Sequence, residues 1–152
     1  MIVGVISDTH GVISKQALEA LKGSQLIIHA GDVGDPRVIE RLEQIAPVYA
    51  VRGNTDRGRW AQGLPMTQVV EVQDMYFFVI HDISMLDLDP KAAGFSAIIY
   101  GHSHVPKEEW KDGVLYFNPG SAGPKRFRLP ICLGRMEITN GNIDVEIIDL
   151  EK

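Results

Sequence analysis

Apolar, β-branched runs alternate with amphipathic stretches over the first third of the chain. Ile2–Ile6 is such a run and stops at Ser7-Asp8, which predicts a buried strand. From Ser14 to Lys22, the apolar residues Ala17, Leu18 and Leu21 recur at helical spacing, with Ser14 as the N-cap and Gly23 as the stop. Leu26–Ala30 predicts a second strand. Asp35-Pro36 opens a second helix, with proline at its first position and Val38, Leu42 and Ile45 on one face. Pro47–Val51 predicts a third strand. The resulting β-α-β-α-β order implies a parallel sheet with right-handed crossovers.

From Arg52 to Pro65 the pattern breaks into a Gly- and Arg-rich stretch that predicts a loop. Thr67–Val72 and Tyr76–Ile80 then read as strands around Gln73-Asp74-Met75, and Asp87 to Ala93 as a short helix. Ala97–Tyr100 is a further buried strand. Lys107–Lys111 and Val114–Phe117 flank Asp112-Gly113, a strong hairpin signal, and Ile131–Ile138 and Ile143–Ile148 flank Asn140-Gly141, a second one. Two packed sheets with helices outside satisfy this order most simply. No linker, repeat or low-complexity segment interrupts it, so one domain is expected over residues 1–152.

The residues at the ends of the apolar runs change the picture from fold to chemistry. Asp8-Thr9-His10, Gly31-Asp32, Gly53-Asn54, His81 and Gly101-His102-Ser103-His104 each come directly after a predicted strand. His10 to Asp32 is 22 residues, Asp32 to Asn54 is 22, and His81 to His102 is 21, the length of one strand-helix unit with short connections. One polar group per unit, always at the strand's carboxyl end, places all of them at the sheet edge where open α/β folds bind ligands. Asp8, His10, Asp32, Asn54, His81, His102 and His104 are therefore expected to converge as oxygen and nitrogen donors for two divalent ions. Such donors suit Mn²⁺, Fe²⁺ and Zn²⁺. Two ions about 3.5–4 Å apart share a hydroxide and clamp a phosphate. Counting +4 for the ions, −2 for Asp8 and Asp32 and −1 for the hydroxide leaves roughly +1, which suits an anionic substrate.

Composition and charge narrow the remaining classes. The 152 residues are 45% apolar and 23% charged, ordinary values for a globular domain. The net charge of −5 argues against a general nucleic-acid-binding surface. No apolar stretch approaches the roughly 18–20 residues of a membrane span. Met1–Ile6 lacks the basic flank and cleavage site of a signal peptide. Cys132 is the only cysteine, which excludes an intrachain disulfide and fits a reducing cytoplasm.

The ordered set Ser7-Asp8-Thr9-His10-Gly11, His29-Ala30-Gly31-Asp32-Val33, Arg52-Gly53-Asn54-Thr55-Asp56, His81, Gly101-His102-Ser103-His104 and Asn118-Pro119-Gly120-Ser121, continued by Pro124-Lys125-Arg126, resembles the calcineurin-like metallophosphoesterases. The likeness is greatest to their small single-domain bacterial and archaeal phosphodiesterases. It covers nearly the whole chain. It implies an α/β fold, a four-layer αββα sandwich of two mixed β-sheets flanked by helices. It further implies one metal held by Asp8, His10, Asp32 and His104, and the other by Asp32, Asn54, His81 and His102, with Asp32 as the bridge. The implied activity is metal-dependent hydrolysis of a small phosphodiester by a metal-bridging hydroxide. The expected ions are Mn²⁺ first, with Ni²⁺, Co²⁺, Fe²⁺ or Zn²⁺ as alternatives. A non-catalytic scaffold module, or a phosphomonoesterase or nuclease on the same site, stands as the alternative, and a homo-oligomer is an open partner.

Asn54 and Asp56 are the catalytic candidates, and Asn54 and Arg126 the substrate-binding ones. Asp56 reads equally as an order-giving residue of the Asn54 loop or as an ordinary solvated carboxylate, and Lys125, Arg126 and Arg128 read as a solvated charge run. His29, inside an apolar segment, is expected to be a hydrogen-bonded core histidine. Two positions depart from the resembled pattern. Thr55 stands where many relatives carry a histidine that protonates the leaving group. Asp82 stands where relatives carry glycine, and either repels an anionic substrate or orients His81.

Overall fold

Each apolar run of the sequence becomes a strand, and the strands sort into two sheets. The computed structural model describes residues 1–151. The first sheet has the order β10-β9-β1-β2-β3, with β1 (Ile2–Ile6), β2 (Leu26–His29), β3 (Val48–Ala50), β9 (Cys132–Thr139) and β10 (Asn142–Asp149). The second has the order β4-β5-β6-β8-β7, with β4 (Thr67–Val72), β5 (Met75–Ile80), β6 (Ala97–Ile99), β7 (Lys107–Lys111) and β8 (Val114–Asn118). β1, β2 and β3 are parallel, as are β5, β6 and β8, and antiparallel strands complete both sheets. The architecture is thus two mixed sheets with flanking helices, as expected.

Strand periodicity decides what the layers bury. Val3 and Val5 of β1 face the second sheet and join Ile28, Phe77, Val79, Ile99, Leu115, Phe117 and Met136 in the core between the sheets. Ile6 of β1, with Ile27 and Leu133, faces the other way and packs on Ala17, Leu21, Val38 and Leu42 of the helices α1 (Lys15–Leu21) and α2 (Pro36–Glu43). Burying each such aliphatic side chain contributes about 1.5–3 kcal/mol. Ser14 caps α1 by accepting from Ala17 N–H, and Asp35 caps α2 by accepting from Arg37 N–H ahead of Pro36.

Two segments differ from the sequence expectation. The stretch read as a loop contains a short helix, α3 (Arg59–Gln62), which buries Ala61 and brings Trp60 onto the α1–α2 layer. The segment from Asp87 to Ala93 is not a helix. Asp89 instead turns the chain by accepting from Lys91 and Ala92 N–H, with Pro90 at the start of the turn. This local side-chain hydrogen bonding competes with helix formation. A 3-10 turn at Ile83–Met85 lies just after β5, and Ile83 and Phe95 cover Phe78, Ile80, Ile98 and Tyr100 on the outer face of the second sheet.

The registers are what position the site. Ile6 pairs with His29 and His29 with Ala50, so β1, β2 and β3 end side by side. Val79 pairs with Ile99 in the second sheet, and Gly101 N–H donates to His81 O just beyond. The carboxyl ends of both sheets' parallel strands therefore open onto one edge.

Candidate metal centre

The first sheet delivers Asp8, His10, Asp32 and Asn54 to this edge, and the second delivers His81, His102 and His104. Five of these, Asp8, His10, Asp32, His102 and His104, have positive φ values between 48° and 72°. Non-glycine residues enter this region at a cost, and such outliers concentrate at functional sites. Each kink turns the chain sharply out of its strand and aims the side chain back across the edge.

The donor atoms meet closely. Asp8 Oδ1 lies 3.3 Å from His104 Nε2, 3.8 Å from His10 Nε2 and 3.9 Å from His81 Nε2. Asp32 Oδ2 lies 3.2 Å from His81 Nε2 and 3.9 Å from His10 Nε2, so it reaches both halves of the cluster. His10 Nε2 and His104 Nε2 are 3.2 Å apart. Asn54 Oδ1 sits 3.1 Å from His81 Nε2 and 3.2 Å from His102 Nδ1. All seven expected donors are thus assembled: Asp8 with His10 and His104, Asp8 and Asp32 with His81, and Asn54 between His81 and His102.

The arrangement fits cations better than it fits itself. Asp8 is fully buried and its Oδ2 accepts from Ser7 Oγ at 2.7 Å and from His102 N–H at 3.1 Å, but Oδ1 has no hydrogen-bond donor. A buried carboxylate oxygen left unpaired is costly unless a cation takes it. His81 Nδ1–H donates to Ala30 O at 2.7 Å. The neutral ring then aims its Nε2 lone pair at Asp32 Oδ2 and Asn54 Oδ1. Three acceptors facing one another repel unless a proton or a metal stands between them.

In the metal-free protein the proton answers that demand. Burial pulls His81 down, but the hydrogen bond to Asp32 and the charge of Asp8 outweigh it and raise its pKa. Burial pushes Asp32 up, but the hydrogen bonds from His81 and from Thr55 N–H outweigh it and hold the carboxyl well below the usual carboxylate range. Thr55 N–H uses Asp32 Oδ1 at 2.9 Å, which leaves Oδ2 directed at the centre.

Close backbone approach is built in as well. A Cβ on Gly53 would occupy the space of Asp32 Oδ1 and its backbone nitrogen. Gly31, at φ 102°, passes so near the His81 ring that a Cβ would lie 2.6 Å from Nδ1. Only glycine lets the Asp32 turn sit against both neighbours.

Three polar residues support the ligands from behind. Asn118 Nδ2 donates to Gly101 O and Ser103 Oγ, both at 3.1 Å, and fixes the histidine turn. Ser121 Oγ donates to Asp8 O at 3.0 Å. The sequence places Asn118 and Ser121 in a family-like run but assigns neither of them a role. The signals for them are that run itself and, for Asn118, its place directly after the apolar residues of β8. Ser7, within the first motif, holds the Asp8 carboxylate.

Asp56 is placed differently from its expected catalytic role. It is buried, and its carboxylate accepts from Val33, Gly34 and Gly53 N–H at 3.2, 2.9 and 2.9 Å. Both oxygens are occupied by backbone, so Asp56 ties the Asp32 and Asn54 loops together and positions ligands rather than touching a reacting group. Asp82 does not orient His81, one of its two expected parts. Its Oδ1 caps the 3-10 turn by accepting from Ser84 N–H and Oγ, while Oδ2 stands 3.8 Å from His102 Nε2. Arg126 lines a cavity with His10 and His104, beside Lys125, which is paired with Glu151 at 2.7 Å.

His29 is a core histidine, as expected. Gly31 N–H donates to its Nδ1, so Nε2–H donates to Thr9 Oγ1 at 3.0 Å beneath the first ligand turn. Complete burial lowers its pKa from 6.5 to about 4, against the raising effect of Asp8. A lowered pKa means that the unfolded chain binds the proton more readily. The stabilisation is full above about pH 6.5 and is lost as pH falls through 4. Denaturant titrations of metal-free protein are expected to show a loss of about 3 kcal/mol from this group between pH 7 and 4. That portion of the loss disappears in His29→Gln. An equal pH dependence in the variant would contradict the assignment.

Comparison with known proteins adds a lineage to this geometry. The family model described as the calcineurin-like phosphoesterase superfamily domain matches residues 1–141. A probable metallophosphoesterase from Methanocaldococcus jannaschii is 35% identical over 165 residues, covering 100% of this chain and 83% of the relative. A phosphodiesterase from the same organism is 31% identical over 170 residues, covering 100% of this chain and 95% of its own. The solved structure of an archaeal phosphodiesterase superposes with a TM-score of 0.81 at 26% identity, covering 97% of this chain and all of the other.

Proposed function

The chain belongs to the calcineurin-like phosphoesterase superfamily, and on that premise we propose that it is a dinuclear-metal phosphodiesterase acting on small diesters. The observation that carries this reading is the unpaired, buried Asp8 Oδ1 within 4 Å of three imidazole nitrogens. One ion is assigned to Asp8, His10, Asp32 and His104, the other to Asp32, Asn54, His81 and His102, and Mn²⁺ is the first candidate for both. Two divalent ions bound there would neutralise phosphoryl oxygens and acidify water enough to supply the nucleophile near neutral pH.

The chain's own groups favour a diester over a monoester. A monoester is a dianion and needs more positive charge near the metals. Lys125 is engaged by Glu151, Asp82 and Asp87 outnumber Arg52 on the His81 side, where Arg52 donates its Nε–H to Asp56 O, and Arg126 has no ion-pair partner among the described residues. Asn54 both ligates and holds a phosphoryl oxygen in this proposal, and Arg126 binds the substrate from the His10 side.

No side chain is in place to protonate a leaving oxygen beside Asn54. Thr55 donates its backbone N–H to Asp32, and its side chain is exposed. Hydrolysis is therefore expected to depend steeply on leaving-group acidity. Thr55→His is expected to raise turnover of alkyl diesters by about 10²-fold, the usual worth of a positioned acid, with little effect on nitrophenyl diesters. An unchanged dependence on leaving-group pKa would contradict this account of Thr55.

The overall reading is tested by stripping the metal and adding back Mn²⁺, Ni²⁺, Co²⁺ or Zn²⁺ while assaying bis(4-nitrophenyl) phosphate beside 4-nitrophenyl phosphate. Metal-restored hydrolysis with the diester faster is the expected result. No hydrolysis of the diester with any of the four ions would overturn it.

A further inference from the structure

A cavity of ≈ 440 Å³ opens directly off the candidate metal centre, with Asn54 and His81 in its wall. Arg52, Thr67, Asp82 and Asp87 complete its polar lining, and the rest is apolar. Phe78 and Ile80 project from the outer face of β5, Met66 stands just before β4, and Met85 ends the 3-10 turn. Met66 and Met85 are 63% and 70% exposed, an unusual position for two large apolar side chains flanking one opening. Methionine adapts its shape and its sulfur makes favourable contacts with ring edges. An apolar pocket with a few polar groups at one end is the general form of a small-molecule site.

Charge separates this cavity from the one on the opposite side of the centre. Asp82 and Asp87 outnumber Arg52 in its lining, whereas Lys125 and Arg126 line the cavity beside His10 and His104, which has no carboxylate in its wall. An anionic substituent is repelled from the first and accepted by the second. A phosphodiester carries two ester arms, and the centre lies between two cavities of opposite character.

We propose that the Met66–Met85 cavity receives one ester arm of the substrate and that this arm carries an uncharged aromatic ring. The inference deepens the phosphodiesterase reading and rests on it. The ring lies on Phe78 and Ile80 between the two methionine side chains, with the phosphate at the Asn54–His81 end. A phenolic ester and a nucleoside both offer such a ring.

Binding to the Mn²⁺-loaded protein by calorimetry tests this without relying on turnover. Phenylphosphonate is expected to bind at least about tenfold more tightly than methylphosphonate, the scale of a modest apolar contact. Uridine 5′-monophosphate against ribose 5-phosphate repeats the comparison for a nucleobase. A gain in the second pair assigns a nucleoside arm, and a gain in the first alone assigns a simple aryl arm. Met66→Ser combined with Met85→Ser is expected to abolish the gain and leave methylphosphonate affinity unchanged. Both residues are exposed, so the substitutions leave the core intact. Equal affinity within both pairs, with methylphosphonate still bound, would overturn the aromatic arm while sparing the metal centre. Failure to bind Mn²⁺ or any phosphonate would overturn both readings. A dimer that dissociates in the double variant, with ring preference unchanged, would reassign the cavity to self-association and also overturn the inference.

Discussion

Asp32→Asn is expected to reduce kcat/KM for a diester by about 10³-fold or more. In the proposed assignment Asp32 is shared by two ions; losing such a ligand removes several kcal/mol of transition-state stabilisation, and each 1.4 kcal/mol is about tenfold in rate. The substitution is nearly isosteric, and its effect on folding separates from its effect on the centre. Asp32 uses Oδ1 for Thr55 N–H, a bond that an amide oxygen retains. It uses Oδ2 to face His81 at 3.2 Å, where the amide places a donor instead. The metal-free variant is therefore expected to melt close to wild type, while its gain in melting temperature on adding Mn²⁺ largely disappears. A variant that folds, loses the metal-induced gain and still hydrolyses diester at the wild-type rate would remove Asp32 from the centre.

Removing metal is expected to lower the melting temperature of the wild-type protein by about 10 °C. An ion that binds only the folded chain, present at a thousandfold over its Kd, stabilises by about 4 kcal/mol. For a chain of this size each kcal/mol moves the melting point by about 2–4 °C. The physical source is the set of contacts that the chain leaves unsatisfied: the bare Asp8 Oδ1, the His10–His104 nitrogen pair, and the lone pair of His81 aimed at two oxygens. The shift is expected to shrink in Asp8→Asn, which loses the Oδ1 that faces His10 and His104 and leaves the Asp32, Asn54, His81 and His102 set in place. No difference between chelated and Mn²⁺-loaded protein in differential scanning calorimetry would contradict the fit of this edge to metal.

Much of this edge is legible before any coordinates, for a simple reason. A buried strand is a local signal, and the next residues must emerge at the strand's end. Asp8, Asp32, Asn54, His81 and His102 are found in this way, and the registers of β1 with β2 and of β5 with β6 place their turns together. The hairpins at Asp112-Gly113 and Asn140-Gly141 are equally local and fold as expected, joining β7 to β8 and β9 to β10. The parts that escape the sequence depend on tertiary contacts. The left-handed backbone of Asp8, His10, Asp32, His102 and His104 has no compositional mark, because glycine is absent from those positions. In the sequence Asp56 reads as well as a loop-ordering residue as a solvated carboxylate, and only the donors Val33, Gly34 and Gly53 decide for the first. α3 is four residues long with no side-chain cap, too short to leave a periodic trace. The segment after Asp87 contains helix-forming residues, but the Asp89-Pro90 turn prevails over them.

Asp82 shows how one substitution shifts the site. Ser84 and His102 outweigh the effect of burial and lower its pKa, so it stays ionised beside His102. It holds the 3-10 turn that carries Met85, and thereby one wall of the proposed ring pocket. A glycine at this position would remove the cap as well as the charge.

The central claim is that two ions act together at one edge. The most direct test is to titrate chelator-stripped protein with Mn²⁺ while monitoring both bound metal and hydrolysis of bis(4-nitrophenyl) phosphate. Saturation at two ions per chain is predicted, with hydrolysis rising as the second equivalent binds. Saturation at one ion with full hydrolysis would contradict the dinuclear centre, and two ions bound with no hydrolysis would make the chain a metal-binding scaffold rather than an enzyme.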